Sequence, residues 1–175
     1  MGLIRDNIDL KVFLVFILSR LPGAATSDDI LAIAFSDSEV NYFTAMQGLN
    51  ELVETGHASY KDKLYRVTEK GVDAAKTLET TLPFSVRRNA LVAMEPIALN
   101  IRRDAMLDTK KELLPNGECI VKLIMSDEKG EIINMNLLTP SEKVAGQFEK
   151  RFRLEAEDIY NEIIGIFLER EREEE

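Results

Sequence analysis

The chain has 175 residues, 45% of them hydrophobic, which is enough for one or two small domains with buried cores. It carries 31 Asp and Glu residues against 22 Lys and Arg residues, and this net charge of −9 argues against a non-specific binder of polyanions. The single cysteine, Cys119, has no second cysteine for an internal disulfide, so we expect a reducing, cytoplasmic location.

The first predicted helix covers residues 8–21 and is apolar on nearly every side. The residues before its apolar run, 12–19, lack the net positive charge of a signal peptide, and the run is too short to span a bilayer. We therefore expect a buried helix and no membrane partner. Pro22 and Gly23 end it.

A short second helix and a long third helix follow. Thr26 or Ser27 is expected to cap the second helix, which ends near residue 35. Ser36 and Glu39 have capping-box spacing, so the third helix is predicted over residues 39–55. The side chains expected to face the core at helical spacing are Tyr42, Ala45, Met46, Leu49 and Leu52.

A hairpin and a fourth helix complete the first half. Strands are predicted over residues 57–60 and 64–67, with Lys61-Asp62-Lys63 as the tip. Thr68 then caps a helix that runs to about residue 81. This order of elements is typical of a winged helix-turn-helix, so residues 1–83 are predicted to be a winged-helix domain.

The second half is predicted to be a linking helix and a β meander. The linking segment covers residues 84–107, and Pro96 inside it predicts a kink or a break into two helices. Residues 108–175 form the third region, a small antiparallel meander with strands over 108–114, 119–126 and 131–138.

The last helix is predicted to start at the sequence Thr139-Pro140-Ser141-Glu142, with Thr139 as the N-cap. Its acidic end, residues 169–175, places negative charge at a helix C-terminus, and we expect disorder there. The predicted fold class is therefore α+β: a winged helix, a linking helix, and a meander with a long C-terminal helix.

The stretch LNELVETGHASYKDKLYRVTEKG resembles the third helix, wing and following helix start of MarR- and PadR-type winged-helix regulators. The whole chain resembles an uncharacterised bacterial family, a domain of unknown function regarded as winged-helix DNA-binding proteins. In the second half the resemblance covers ECIVKLIMSDEKGEIINMNLLTPSEKVAGQF. It implies a regulator-like cytoplasmic protein that is dimeric, and it supplies no ligand, operator or catalytic residue.

In a winged helix, the third helix enters the major groove of double-stranded DNA and the hairpin tip meets the backbone. Asn41 and Gln47 have the amides that read adenine edges, and Thr44 suits a phosphate or a thymine methyl. Lys61 and Lys63 are expected to hold phosphates. The predicted DNA-binding residues are Ser38, Asn41, Thr44, Gln47, Lys61 and Lys63. Of these, Asn41, Thr44 and Gln47 belong to the outward face of the third helix, which also takes Val40, Phe43, Gly48 and Glu51.

The charge of this region favours a second interpretation. Up to Pro83 there are 8 Lys and Arg residues against 12 Asp and Glu residues, and the proposed reading face has no positive residue. Phosphate neutralisation supplies much of the affinity in most complexes. Phe43 on that face suits a protein contact better. The alternative is a winged-helix protein-interaction module that does not bind DNA.

No enzyme signature is found in the sequence. His57 is the only histidine, and Cys119 starts an apolar strand without an identifiable activating partner. One histidine and one cysteine make no metal constellation, and no glycine-rich phosphate loop is present. We therefore predict a non-enzymatic protein without a cofactor or metal. An effector ligand, if the meander binds one, is not identified.

Three apolar helix faces favour self-association. The first helix, the helix from Phe84 and the C-terminal helix expose more apolar surface than one small domain buries. A homodimer is the preferred prediction, because two-fold symmetry also suits paired DNA half-sites. The alternative is a monomer in which the second half folds over the first.

Overall fold

The computed structural model describes residues 7–36 and 40–170, and its architecture is α+β. The chain divides into two compact units, unit 1 up to Arg102 and unit 2 from Arg103. In chain order the elements are α1 Asn7–Arg20, α2 Ser27–Ala34, α3 Tyr42–Glu54, β1 Ala58–Lys61, β2 Leu64–Val67, α4 Glu69–Leu78, α5 Phe84–Ala105, β3 Leu107–Leu113, β4 Cys119–Asp127, β5 Gly130–Thr139 and α6 Glu142–Arg170.

Helix α1 is the centre of the unit 1 core. Residues 12–18 are all buried, and Phe13, Leu14 and Ile17 are fully enclosed. Helices α2, α3 and α4 all pack on α1, so residues 12–18 have no side left to water. The prediction of a buried first helix is confirmed, and its all-round apolar sequence is explained by these neighbours.

The start of α3 was predicted wrongly. Asn41 has an extended backbone, with φ −87° and ψ 138°, and its side chain accepts a hydrogen bond from the Phe43 N–H. Helix α3 therefore begins at Tyr42, with Asn41 as the N-cap, and not at residue 39. Glu39 of the predicted capping box lies outside the described residues. At α2, Thr26 forms a complete capping box with Asp29.

A two-residue turn closes the β1–β2 hairpin. Asp62 and Lys63 have φ values of 53° and 65°, and positive φ at both positions matches the right-handed twist of the strands. Ala25 pairs with Tyr65 through two backbone hydrogen bonds of 2.9 and 2.8 Å, which adds an isolated bridge beside β2. The hairpin is thereby fixed to the segment before α2.

Helix α5 packs on unit 1. Val86, Ala90 and Met94 are buried in the same core as α1. The helix continues through Pro96, so the predicted break into two helices is not found. The predicted linking helix is therefore part of the first compact unit as far as Arg102.

Unit 2 is a three-stranded antiparallel sheet, in the order β3-β4-β5, with α6 packed on it. Val121, Leu123 and Met125 alternate along β4 on the buried face, as their period of two predicts. Phe152 and Ala156 of α6 complete this core.

The N-cap of α6 is Ser141 rather than Thr139. Thr139 is the last residue of β5, is buried, and donates its hydroxyl to the Cys119 carbonyl at 2.7 Å. Ser141 Oγ accepts from the Val144 N–H instead. The helix then runs to Arg170 with non-helical torsions at Glu155, φ −129° and ψ 24°. Residues 171–175 of the predicted disordered tail lie outside the described residues.

Candidate nucleic-acid interface

Helix α3 has one buried and one exposed side. Ala45, Gly48, Leu49 and Leu52 face the unit 1 core. The opposite side is solvent-exposed, and we call it the outer face of α3: Phe43, Thr44, Gln47, Asn50 and Glu54. Among the described residues of α3, none is Lys or Arg, so this face offers hydrogen-bonding groups and an apolar ring but no positive charge.

Two residues of α3 lie on the side of the helix opposite to the one that the sequence predicted. Gly48 was placed outward, but a Cβ there would lie 2.9 Å from Leu14 Cδ1, so the glycine allows α3 to approach α1 closely. Tyr42 was placed in the core, yet it is half exposed because it is the first residue of the helix. The sequence prediction of the outward face did not include Asn50 and Glu54. Their spacings of three and seven from Gln47 place them on the same helix face.

Gln47 is held by its neighbour one turn along. Its Nε2 donates to Glu51 Oε1 at 2.9 Å, and Lys11 Nζ donates to Glu51 Oε2 at 3.0 Å. The bond from Lys11, followed by the bond from Gln47, lowers the pKa of the Glu51 carboxyl. Glu51 is therefore a carboxylate at neutral pH. It holds the Gln47 side chain through the amide nitrogen, so the amide oxygen of Gln47 takes no part in this hydrogen bond.

The other predicted residues near the start of α3 have different environments. Ser38 lies outside the described residues. Asn41 is exposed, but its side-chain oxygen is occupied by the helix cap, so its amide nitrogen is the group that remains for another contact. Thr44 is exposed on the outer face of α3. Thus Thr44 and Gln47 share one helix face, and Asn41 precedes it.

Phe43 is the most exposed aromatic residue on this face. Its side chain is 80% exposed, and the ring of Tyr42 meets it edge-to-face with centroids 5.6 Å apart. Phe43 and Tyr42 thus form an exposed aromatic pair at the start of α3.

The hairpin carries three exposed positive charges. Lys61, Lys63 and Arg66 are exposed, and none has an ion-pair partner within the parts of the chain that the structure describes. In contrast, Lys11 pairs with Glu51, and Arg20 pairs with Glu79. The hairpin cations are free to meet an external anion, with Asp62 as the acidic residue between them.

The surroundings of His57 are those of a structural residue. Its Nδ1 lies 2.9 Å from Thr55 Oγ1, and partial burial, then the charge of Lys70, lowers the pKa of the imidazole. Over residues 7–36 and 40–170, no cluster of three or more His, Cys, Asp or Glu side chains has the geometry of a metal site. Cys119 is buried as a free thiol in unit 2.

Unit 2 contains an open groove of about 570 Å³ between the sheet and α6. Its apolar lining includes Leu123, Met135 and Phe152. Arg151 and Glu155 lie on the rim and form an ion pair at 2.8 Å. An apolar floor with a few polar groups at the rim is typical of small-ligand sites.

None of the helices in the described ranges has the length and apolar character to cross a membrane. The features above define an α+β protein of two compact units, the first combining a helical core with a two-stranded hairpin. A family model described as "Domain of unknown function (DUF4364)" matches residues 10–167, and the chain belongs to this family. Neither the curated proteins nor the solved structures contain a match.

Proposed function

We propose that this protein is a dimeric, non-enzymatic transcriptional regulator whose first unit is a winged-helix domain that binds double-stranded DNA. In this proposal α3 lies in the major groove and the β1–β2 hairpin is the wing. Unit 2 serves dimerisation or the sensing of an effector.

The observation that carries the proposal is the contrast between α3 and the hairpin. The outer face of α3 offers the hydroxyl of Thr44 and the amides of Gln47 and Asn50, which are groups that read base edges. The hairpin offers the unpaired cations Lys61 and Lys63, which suit phosphates. Base reading and backbone binding are thus assigned to different elements.

The arrangement of unit 1 supports the winged-helix assignment. Helices α1 to α3 precede the β1–β2 hairpin, and α4 follows it. The Ala25–Tyr65 bridge adds a short extended segment to the hairpin, between α1 and α2. This is the order in which a helix-turn-helix is followed by a wing.

The negative charge of the chain predicts selective rather than general binding. A net charge of −9 repels phosphate at long range, so random DNA is expected to bind weakly. Base contacts from the outer face of α3 then have to supply most of the difference in affinity between the operator and other DNA sequences.

Capture of fragmented genomic DNA by the purified chain, at low and at near-physiological salt, tests the proposal. Sequencing of the retained fragments is expected to give a few palindromic sites at both salt concentrations. Retention of nothing, or of random fragments at low salt alone, contradicts DNA recognition.

The exposure of Phe43 favours a second candidate, a protein-interaction module with the same fold. In that case a hydrophobic partner covers Phe43 and Tyr42, and the hairpin lysines are not needed. Phe43→Ala would then weaken binding of a partner recovered by affinity capture from the source cells, whereas reversal of the lysine charges would not. Exposed Asp73 of α4, mutated to Ala, is the control for a general change of the unit 1 surface.

A further inference from the structure

Helix α5 leaves a row of apolar side chains in water. Phe84, Leu91, Val92 and Leu99 are 71%, 49%, 67% and 58% exposed, although the opposite side of the helix packs into the unit 1 core. With 3.6 residues per turn, they share an arc of about 100° with Arg102, which lies beyond Leu99, and with the two charged residues that lie among them, Arg88 and Glu95. We call the members of this set up to Leu99 the α5 stripe: Phe84, Arg88, Leu91, Val92, Glu95 and Leu99.

The α5 stripe is complementary to itself in the antiparallel direction. When two copies are related by a two-fold axis between Leu91 and Val92, each residue faces the one at the same distance beyond the axis. Leu91 then meets Val92, and further out Phe84 meets Leu99. In this single register, every apolar side chain of the stripe faces an apolar side chain.

The same register also matches the two charges. Arg88 of one copy faces Glu95 of the other, and the symmetry produces this pair twice. Neither residue has an ion-pair partner within the parts of the chain that the structure covers. They lie about 10 Å apart along their own helix, since each residue rises 1.5 Å, and so do not pair with each other.

We propose that the α5 stripe is the homodimer interface of this protein, formed by antiparallel pairing of α5 with α5 of a second copy about an axis between Leu91 and Val92. The proposal names the partner surface of the dimeric regulator described above and rests on it for its functional meaning. The pairing itself requires no DNA. The matching of both apolar and charged positions in one register distinguishes a second copy from an unrelated partner.

Charge reversal tests the pairing on the full chain. Arg88→Glu puts carboxylates opposite each other in both symmetric pairs, and Glu95→Arg does the same with cations. We expect each to raise the dimer dissociation constant by about tenfold or more. The double variant Arg88→Glu/Glu95→Arg restores the opposite charges and is expected to return the constant towards that of wild type.

The measurement is sedimentation equilibrium, in which the mass rises from 19.8 kDa towards twice that value with concentration. Lys76→Glu on α4 is the control, because this exposed lysine outside the stripe undergoes the same change of charge as Arg88→Glu, from positive to negative. A wild-type chain that stays monomeric up to about 100 μM overturns the proposal. A dimer unaffected by the single reversals, or not rescued by the double variant, also overturns it.

Cysteine cross-linking tests the register. In a Cys119→Ala background, Val92→Cys lies beside the axis and is expected to form a disulfide-linked dimer on mild oxidation. Phe84→Cys and Leu99→Cys are expected to cross-link with each other when mixed, but not separately. If either variant forms a disulfide-linked dimer by itself, or if the mixture of the two forms none, this register is contradicted. A cross-linked dimer that binds no DNA would refute the regulator while leaving the interface intact.

Discussion

Gln47 donates a hydrogen bond from Nε2 to Oε1 of Glu51, 2.9 Å away and one helical turn further along α3. Glu51 in turn pairs with Lys11 of α1, so the orientation of an exposed side chain is linked to the most buried helix of unit 1. A side chain held before binding loses less conformational freedom on binding. This relationship explains why an acidic residue is placed beside a surface proposed to face DNA.

The ion pair of Glu51 predicts a pH dependence of stability. The pKa of Glu51 is below its ordinary value of 4.5 in the folded chain, chiefly because Lys11 donates to the carboxylate. Its stabilising contribution is therefore complete above pH 4.5 and is lost as the pH falls through the folded-state pKa. We expect Glu51→Gln to lower the free energy of unfolding at about pH 7 and to have a smaller effect at about pH 3.

Urea unfolding of both proteins at the two pH values measures this difference. Gln47→Ala is a suitable control, since it removes a bond to Glu51 without removing the charge. An equal destabilisation by Glu51→Gln at both pH values would show that the ion pair with Lys11 is not its cause.

Gly71 is expected to tolerate no side chain. A Cβ at this position would clash with the backbone carbonyl oxygen of His57, which is fixed by its hydrogen bond from the Thr68 N–H. We expect Gly71→Ala to destabilise unit 1 by about 1–3 kcal/mol, because α4 has to move away from the hairpin. Thermal unfolding followed by circular dichroism measures the change.

Gly146 of α6 provides the matched comparison for Gly71. No atom lies within 4 Å of a Cβ built there, so Gly146→Ala is expected to stabilise the helix by about 0.5–1 kcal/mol. If both substitutions changed stability equally, the close approach of α4 to His57 would not be the reason for the glycine.

Thr139 fixes the junction between the sheet of unit 2 and α6. Its buried hydroxyl donates to the Cys119 carbonyl at 2.7 Å. Thr139→Val keeps the shape but removes the donor, and leaves the carbonyl without this partner. We expect a loss of about 1–2 kcal/mol in the free energy of unfolding. A urea titration that gives the valine variant wild-type stability would contradict the role of this bond.

Regular periodicity made most elements predictable. The period-two pattern of Val121, Leu123 and Met125 identified β4 and its buried face, and the all-round apolar sequence of α1 identified a buried helix. These signals are local and repeat several times, so a single unusual residue does not disturb them.

Helix starts and close approaches were harder to predict, because several residues satisfy the same local rule. Ser36 and Asn41 are both good N-caps, and the extended backbone at Asn41 decides between them. Thr139 and Ser141 compete in the same way, and burial of the threonine hydroxyl decides for Ser141. Gly48 faces inward because of α1, which is distant in the sequence.

The salt dependence of DNA affinity in lysine variants tests the central proposal most directly. An operator fragment from genomic capture is titrated with wild type and with Lys61→Glu/Lys63→Glu at several salt concentrations. The control is Lys129→Glu/Lys143→Glu, which reverses two exposed lysines of unit 2 and gives the same net charge. Loss of two phosphate contacts is expected to lower affinity and to reduce the slope of log affinity against log salt by about two, with the control near wild type. Equal loss in both double variants, or none in either, would contradict a hairpin that binds the DNA backbone.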